Sequence, residues 1–302
     1  MIKKNESNQE SLGLAHRILI CLIYPKLKVS MDVQRCRNFS KHLEDLPLKN
    51  MLRTKYIQGK ALQSSQVAII LPTFNRSKLL PNAISSIKNQ LHREWTLHIC
   101  DDGSTDDTHQ ICRQYEQDPR INYLQLPHKG VSSTRNSGLK KAYSKYIAFL
   151  DSDNTWSPEY LSLMVTFIDK FSLDSAYCAA RLTSDQGKQW LGDFFSWQAC
   201  AKKNYIDLNC FMMRTSEKQI LFDENLQRFV DWDFILNATR QSRTSYFPSA
   251  LVNYCNKKSR DRISTTVYRN GEIVERIAYI NNKHYKVMKD KENVDVRIKE
   301  NR

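Results

Sequence analysis

Two carboxylates stand one residue apart in Asp151-Ser152-Asp153, directly after the apolar run from Tyr146 to Leu150. Acids in this arrangement can converge on one cation, and Mg²⁺ and Mn²⁺ prefer oxygen ligands and share their coordination shell with substrate phosphates. Without a cation the two charges would repel each other. The pattern makes Asp151 and Asp153 candidate metal ligands, and a strand-end turn with two solvated acids is the alternative.

Three further positions carry side chains suited to the chemistry of phosphates and hydroxyl groups. The pair Asp101-Asp102 could accept hydrogen bonds from a ribose hydroxyl or a base N–H, or could form a helix-capping turn. Asp231 could act as a general base on a hydroxyl group, or could simply complement a helix dipole. Arg135 could reach a phosphate, orient an acid of the 151–153 segment, or lie on the surface.

Apolar runs alternate with helical patterns between residues 67 and 171. This alternation predicts an α/β fold with a doubly wound, mostly parallel sheet and flanking helices. Ligands bind such sheets at the carboxyl ends of the strands. The acids at 101–102 and 151–153 both follow predicted strands, so we expect them at one edge of the sheet. The predicted strands are 67–71, 95–100, 121–126 and 146–150, and the predicted helices are about 78–90, 105–117 (capped by Thr105 or Asp106), 130–143 and 158–171.

Beyond residue 175 the alternation weakens. The pattern there predicts strands at 175–182 and 209–214, a helix at 231–241, and a last strand within 245–254. We interpret 183–208 as irregular, and the chain after about residue 271 as helical.

The net charge of +14 is concentrated at the two ends of the chain. Residues 1–65 carry 12 basic and 5 acidic side chains, residues 66–255 carry 21 and 20, and residues 256–302 carry 13 and 7. A nucleic-acid-binding protein concentrates its positive charge on the working domain, so this class is not expected. Basic ends fit an anionic membrane surface, and solvated charge without a partner is the alternative.

The apolar run from Leu12 to Tyr24 contains His16 and Arg17 and is too short to span a bilayer. We therefore expect a cytoplasmic protein, with peripheral attachment at the inner membrane face. We divide the chain into a basic helical extension (1–65), a catalytic domain (66–255) and a basic helical tail (256–302). Eight scattered cysteines without a CxxC spacing favour reduced structural thiols over disulfides or zinc.

Five segments together resemble the family 2 glycosyltransferases of GT-A fold, over roughly residues 66–255. The first four occur in the family's order and spacing, and the fifth resembles its acceptor-side segment. The segments are Pro72-Thr73-Phe74-Asn75-Arg76, Asp101 to Asp106, Gly130 to Asn136, Asp151 to Pro158, and Phe222 to Leu226 followed by Asp231-Trp232-Asp233-Phe234.

The resemblance implies a reaction and a role for each matching residue. The enzyme would move a sugar from a nucleoside diphosphate donor, with a UDP-sugar expected, to a hydroxyl acceptor in surface polysaccharide or glycolipid synthesis. Transfer would invert the anomeric centre in one displacement and use Mg²⁺ or Mn²⁺. Asp231 would be the base, Asp153 the metal ligand, and Asp151 would act through water, ribose or the metal shell. The donor would be bound by Pro72, Thr73, Phe74, Asn75, Arg76, Asp102, Arg135, Asp151 and Ser152, with Asp102 holding the base.

Two positions depart from the family pattern, and two other functions stay open. Asn154 stands where an acid often follows the metal-binding pair, and Val230 where an acid often precedes the base. A haloacid-dehalogenase-like phosphatase would use Asp151 as nucleophile, since 151–155 fits its DxDxT pattern. An inactive membrane-peripheral scaffold is the non-enzymatic alternative.

Overall fold

The computed structural model describes residues 66–184 and 187–255, together with helical residues 275, 277–280 and 282–284. The predictions for 1–65 and for most of 256–302 lie outside the described residues. Within the described part of the chain, no helix is long and apolar enough to cross a membrane.

Strands and helices alternate through the first half of the described chain. The elements are β1 (Val67–Thr73), α1 (Leu80–Lys88), β2 (Trp95–Asp101), α2 (Thr108–Tyr115), β3 (Ile121–Gln125), α3 (Val131–Leu139), β4 (Tyr146–Phe149), β5 (Thr155–Trp156), α4 (Tyr160–Lys170), β6 (Ser175–Ser184), β7 (Gly187–Leu191), α5 (Trp197–Lys202), a 3₁₀ turn (Leu208–Cys210), β8 (Phe211–Arg214), α6 (Val230–Thr239) and β9 (Thr244–Cys255).

The strands form one sheet in the order β3-β2-β1-β4-β8-β6-β9-β5, with β7 paired to β6. Strand β1 is wholly buried and pairs in parallel with β2 and β4, as expected for a central strand of a sheet with helices on its faces. Thr73 lies opposite Asp101 in this register, and Ile70 lies opposite Phe149. The loops after β2 and β4 therefore leave the sheet at the same edge, as predicted.

The predicted α/β class with flanking helices is confirmed, and the described sheet is mixed. Strands β1 to β4 are parallel. The pairings of β4 with β8, β6 with β8, β6 with β7, and β5 with β9 are antiparallel, whereas β6 and β9 are parallel. Strand β8 lies between β4 and β6 and is antiparallel to both, so the run of parallel strands ends at β4.

The interpretation of 183–208 as irregular is wrong. Strand β7 pairs antiparallel with β6, and α5 begins after Ser196, whose side chain accepts a hydrogen bond from the backbone N of Ala199 at 3.3 Å. The sequence of β7 alternates too weakly to be recognised locally, because the strand depends on pairing with β6.

Helix α2 begins later than predicted. Its N-cap is Asp107 rather than Thr105 or Asp106. The carboxylate of Asp106 accepts hydrogen bonds from the backbone N of Ser77 at 3.1 Å and of Thr108 at 3.0 Å. Asp106 thus links the loop after β1 to the loop after β2 as well as serving the helix start.

The cysteines whose side chains are described are buried and form no disulfide. They are Cys100, Cys112, Cys178, Cys200 and Cys210.

Candidate active site

One buried arginine joins two of the predicted acids at the carboxyl edge of the sheet. Arg135, in α3, donates from Nη2 to Asp151 Oδ1 at 2.8 Å and from Nη1 to Asp231 Oδ1 at 2.5 Å. Asp151 follows β4, and Asp231 lies in the first turn of α6. The first acid of the Asp-Ser-Asp segment and Asp231 therefore share one guanidinium.

The surroundings of Arg135 keep it charged and fixed. The residue is 3% exposed, and its guanidinium lies 5.2 Å from the ring centroid of Phe222. Burial opposes the charge on Arg135, but the carboxylates of Asp231 and Asp151 outweigh it and raise its pKa. Of the alternatives open for Arg135, the orientation of an acid matches these contacts, and a surface position does not.

Asp231 has an environment suited to a base. Its side chain is 36% exposed, so a hydroxyl group can reach it. Desolvation raises the pKa of Asp231, Arg135 opposes this effect, and the neighbouring charge of Asp151 adds to it. A raised pKa makes the carboxylate a stronger proton acceptor.

Asn209 contacts the other carboxylate oxygen of Asp151, and Asp207 holds Asn209 in place. Asn209 Nδ2 donates to Asp151 Oδ2 at 3.1 Å, and Asn209 Oδ1 accepts from the Asp151 backbone N at 2.6 Å. Asp207 Oδ1 in turn accepts from the backbone N of Asn209 at 2.9 Å and from its Nδ2 at 2.7 Å. Burial raises the pKa of Asp207 to about 6, with the charges of Asp151 and Asp231 adding to the effect.

Sequence reasoning missed Asp207 and Asn209 because both lie at the end of the segment interpreted as irregular or just beyond it. The available signal was the Asp-Leu-Asn spacing directly before an apolar strand, which is typical of an Asp that caps a short helical turn.

Replacing Asp207 by Asn is expected to stabilise the protein at neutral pH and to change its stability little near pH 4. The pKa of Asp207 rises from 3.8 in the unfolded chain to about 6 in the fold. The folded state then binds more protons between these values, so the wild type loses stability as the pH rises through this window. Asn does not titrate, so the variant keeps its stability across this pH window. Urea unfolding at about pH 4, 5 and 7 measures the difference; a pH-independent difference would contradict the raised pKa.

Asp153, the predicted metal ligand, is partly exposed in the turn after β4. Both Asp151 oxygens already accept hydrogen bonds from Arg135 and Asn209. No group of three His, Cys, Asp or Glu residues in the described parts of the chain could hold a metal by itself. An oxygen-ligand site for Mg²⁺ or Mn²⁺ therefore fits only when donor phosphates and water complete the shell around Asp153, as is usual for Mg²⁺.

Asp102 is buried and bonded within the protein. Its Oδ1 accepts from the backbone N of Lys129 at 2.9 Å and its Oδ2 from that of Gly130 at 3.0 Å, and His128 Nδ1 lies 2.9 Å from Oδ2. Gly130 has a φ of 91°, which favours glycine, and it is the N-cap of α3. Asp102 thus positions the loop that leads into the helix of Arg135.

Phe74 and His128 form the exposed aromatic surface of the predicted donor side. The two rings stack with centroids 4.3 Å apart, and Phe74 is 38% exposed. His128 was not among the predicted site residues, since a single histidine in a loop carries no pattern of its own.

The remaining predicted donor residues lie at or near the carboxyl edge of the sheet. Pro72 and Thr73 are buried at the end of β1, and Ser152 is buried after β4. Asn75 Oδ1 accepts from the backbone N of Thr105 at 2.8 Å. The backbone N of Arg76 donates to the hydroxyl of Thr108 at 3.1 Å. These contacts hold the loops after β1 and β2 together.

Comparison with known proteins shows that the chain is similar to glycosyltransferases. The model of "Glycosyl transferase family 2" matches residues 68–226. The chain is 33% identical over 123 residues to the putative teichuronic acid biosynthesis glycosyltransferase TuaG of Bacillus subtilis, covering 40% of this chain and 49% of that protein. It is 35% identical over 112 residues to the UDP-Glc:alpha-D-GlcNAc-diphosphoundecaprenol beta-1,3-glucosyltransferase WfgD of Escherichia coli, covering 37% and 44%. The match spans less than half of either relative.

Solved structures show the same fold. TarS 1–349 of S. aureus in complex with UDP-GlcNAc superposes with a TM-score of 0.60 at 21% identity, covering 72% of this chain and 65% of that one. The mannosyltransferase PcManGT of Pyrobaculum calidifontis, in complex with GDP-Man and Mn²⁺, gives a TM-score of 0.53 at 16% identity, covering 70% and 64%.

Proposed function

The chain belongs to glycosyl transferase family 2, and from this membership we propose that it transfers a sugar from a nucleoside diphosphate donor to a hydroxyl group of a saccharide or lipid-linked acceptor. The names of TuaG and WfgD, which refer to teichuronic acid and to a diphosphoundecaprenol-linked sugar, support a role in polysaccharide synthesis. The observation that carries the proposal is the pair of contacts from Arg135 to Asp151 and Asp231, which joins the donor-side and acceptor-side segments.

The proposed reaction is a single displacement with inversion. Asp231 takes the proton of the acceptor hydroxyl group. At the same time the acceptor oxygen forms the bond to the anomeric carbon, and the bond from that carbon to the diphosphate breaks. The nucleoside diphosphate leaves with the bonding electron pair. Arg135 opposes the rise in the pKa of Asp231 and so favours the ionised form that accepts the proton.

The donor side is assigned to the edge formed by the loops after β1, β2 and β4. A UDP-sugar is the donor we propose, in line with the UDP-GlcNAc in the TarS structure. Phe74 and His128 offer ring surfaces to a nucleobase. Asp102 contributes by holding residues 129 and 130. Asp153 is the ligand proposed for Mg²⁺ or Mn²⁺, which would neutralise charge on the departing diphosphate.

A panel of nucleotide-sugars tests the function. Donors that bind should raise the Tm in the presence of Mn²⁺, and the positive donor can then be incubated with saccharide and lipid-linked acceptors. The anomeric configuration of the product, read by NMR, should be opposite to that of the donor. A product with retained configuration would contradict the single displacement. A phosphorylated Asp151 trapped from a phosphomonoester would instead indicate the phosphatase.

Asp153→Ala is expected to abolish the Mn²⁺-dependent part of UDP binding, because it removes the partly exposed carboxylate that we propose as the metal ligand. Isothermal titration with UDP in the presence of Mn²⁺, and again with EDTA, measures the effect. Glu217→Ala removes an exposed acid elsewhere and should bind as the wild type does. Equal Mn²⁺ dependence in Asp153→Ala and wild type would reject Asp153 as the ligand.

We also propose that the basic ends, 1–65 and 256–302, attract the chain to anionic membranes. Each basic side chain near such a surface contributes about 1 kcal/mol at physiological ionic strength. The chain with both basic ends should float with anionic vesicles, detach as the salt concentration rises, and not bind neutral vesicles. Equal flotation with both kinds of vesicle would contradict the proposal.

A further inference from the structure

A short helical stretch of the basic tail reaches the acid-rich segments of the candidate site. Lys283 Nζ lies 2.7 Å from Asp223 Oδ2 and 2.9 Å from Asp233 Oδ2. His284 Nε2 lies 2.8 Å from Asp233 Oδ1. Ile280, one turn earlier, is fully buried. These residues therefore pack against the segment that carries Asp231.

Two of the three side-chain hydrogen bonds described for Asp233 come from the tail. Its residue exposure is 0%, and a buried carboxylate is costly unless it is paired. Besides Lys283 and His284, the side-chain partner described for it is Asn237 Nδ2, at 3.2 Å. The desolvation of Lys283 is outweighed by Asp223 and Asp233, which raise its pKa, so Lys283 stays charged.

The hydrogen bonds around His284 define its role. A guanidinium can only donate, so Arg240 Nη2 donates to His284 Nδ1 at 2.9 Å. The other ring nitrogen, Nε2, then carries the proton and donates it to Asp233. His284 thus links Arg240, in the C-cap of α6, to Asp233 in its first turn.

The first turn of α6 has little local support. Its N-cap, Phe229, has a φ of 58°, in the left-handed region, and gives no side-chain cap. Asp231 and Asp233 are two residues apart, so they point to nearly opposite sides of the helix. Arg135 holds the turn through Asp231 on one side, and Lys283 with His284 holds it through Asp233 on the other.

We propose that Lys283 and His284 are positioning residues that fix the first turn of α6, so that Asp231 is presented to the acceptor hydroxyl. The proposal rests on the function assigned above. Neither residue touches the reacting atoms; both act through Asp233. Small displacements of a reacting group are costly, and about 1 Å can lower a rate about 10²-fold.

Lys283→Met and Lys283→Arg form the test pair. Lys283→Met should lower kcat about 10-fold to 10²-fold while the KM for the donor and the Kd for UDP stay unchanged, because neither acid that Lys283 contacts is among the proposed donor-binding residues. Lys283→Arg, which keeps the charge, should recover most of kcat. His284→Gln should likewise retain more activity than His284→Leu, since an amide can both donate to Asp233 and accept from Arg240. Lys202→Met, an exposed lysine in α5, is the control.

Hydrogen–deuterium exchange supplies a readout that does not need activity. Amides of 230–234 should exchange faster in Lys283→Met than in wild type, while amides of β1 and β2 keep their rates. Unchanged exchange at 230–234, or unchanged kcat in Lys283→Met, would overturn the positioning role. Equal losses in both lysine variants, with donor binding lost in parallel, would also overturn it, since that is a folding defect. A wild type without transferase activity would refute the proposed function. The exchange measurement would then still test whether Lys283 fixes the first turn of α6.

Discussion

Asp231→Asn is expected to lower kcat by about 10²–10⁴-fold, the usual contribution of a general base. Asn keeps the size of the side chain and can still accept a hydrogen bond from Arg135, but it cannot take a proton. UDP binding in the presence of Mn²⁺ should therefore stay as in wild type. Single-turnover transfer and isothermal titration separate the two steps. Asp107→Asn, at the exposed N-cap of α2, is the matched control and should retain full activity.

The pH dependence of the wild type offers a second check on Asp231. A base works only when deprotonated, and burial together with Asp151 raises the pKa of Asp231. Activity should therefore fall on acidification at a higher pH than for an ordinary aspartate, and this acid limb should disappear in the residual activity of Asp231→Asn.

Normal turnover by Asp231→Asn would reject this base. The neighbouring acids are poor substitutes in the structure. Asp233 is fully buried against Lys283 and His284, and Asp223 is paired with Lys283. Such a result would therefore not by itself assign the role of base to Asp233 or Asp223.

Arg135→Met is expected to lower the free energy of unfolding by about 3 kcal/mol, the low end for breaking a buried ion pair. The low end applies because Asp151 and Asp231 are themselves about a third exposed. The substitution leaves two neighbouring acids without their shared cation. Urea unfolding measures the loss. Arg113→Met, which removes an exposed ion pair with Glu116, should change stability by less than about 1 kcal/mol.

The same variant should also change catalysis in a defined direction. Arg135 lowers the pKa of Asp231, so its removal should move the acid limb of kcat to higher pH. Arg135→Lys keeps one charge but cannot bridge both acids, and should give a smaller shift. An unchanged acid limb together with unchanged stability would show that the contacts of Arg135 with Asp151 and Asp231 contribute neither to folding nor to the pKa of Asp231.

The parallel half of the fold could be predicted because its signals are local. Val67-Ala-Ile-Ile-Leu71 is a continuous apolar run with a helical pattern after it, and the same alternation recurs to residue 171. Once strands are placed in parallel, acids that follow them must meet at one edge. The position of Asp101, Asp102 and Asp151 followed from that rule alone.

The contacts that complete the site could not be predicted, since they join distant parts of the chain. Arg135 could reach several partners, and only the fold selects Asp231, 96 residues away. Asp207 is a single acid within a segment without periodicity. Lys283 and His284 lie in a basic tail whose composition indicates surface charge, so nothing local distinguishes a lysine paired with buried acids from a solvated one.

The place of β8 in the sheet has a consequence for folding. This strand occupies the gap between β4 and β6, although the chain reaches it only after both have been made. Until about residue 214 has been synthesised, the edges of β4 and β6 stay open to other strands, and such open edges invite aggregation. The acids after β4 are thus synthesised early, whereas helix α6, which brings Asp231 to Arg135, follows β8 in the chain. The contact between Arg135 and Asp231 therefore becomes possible only after the strand that fills this gap has been synthesised.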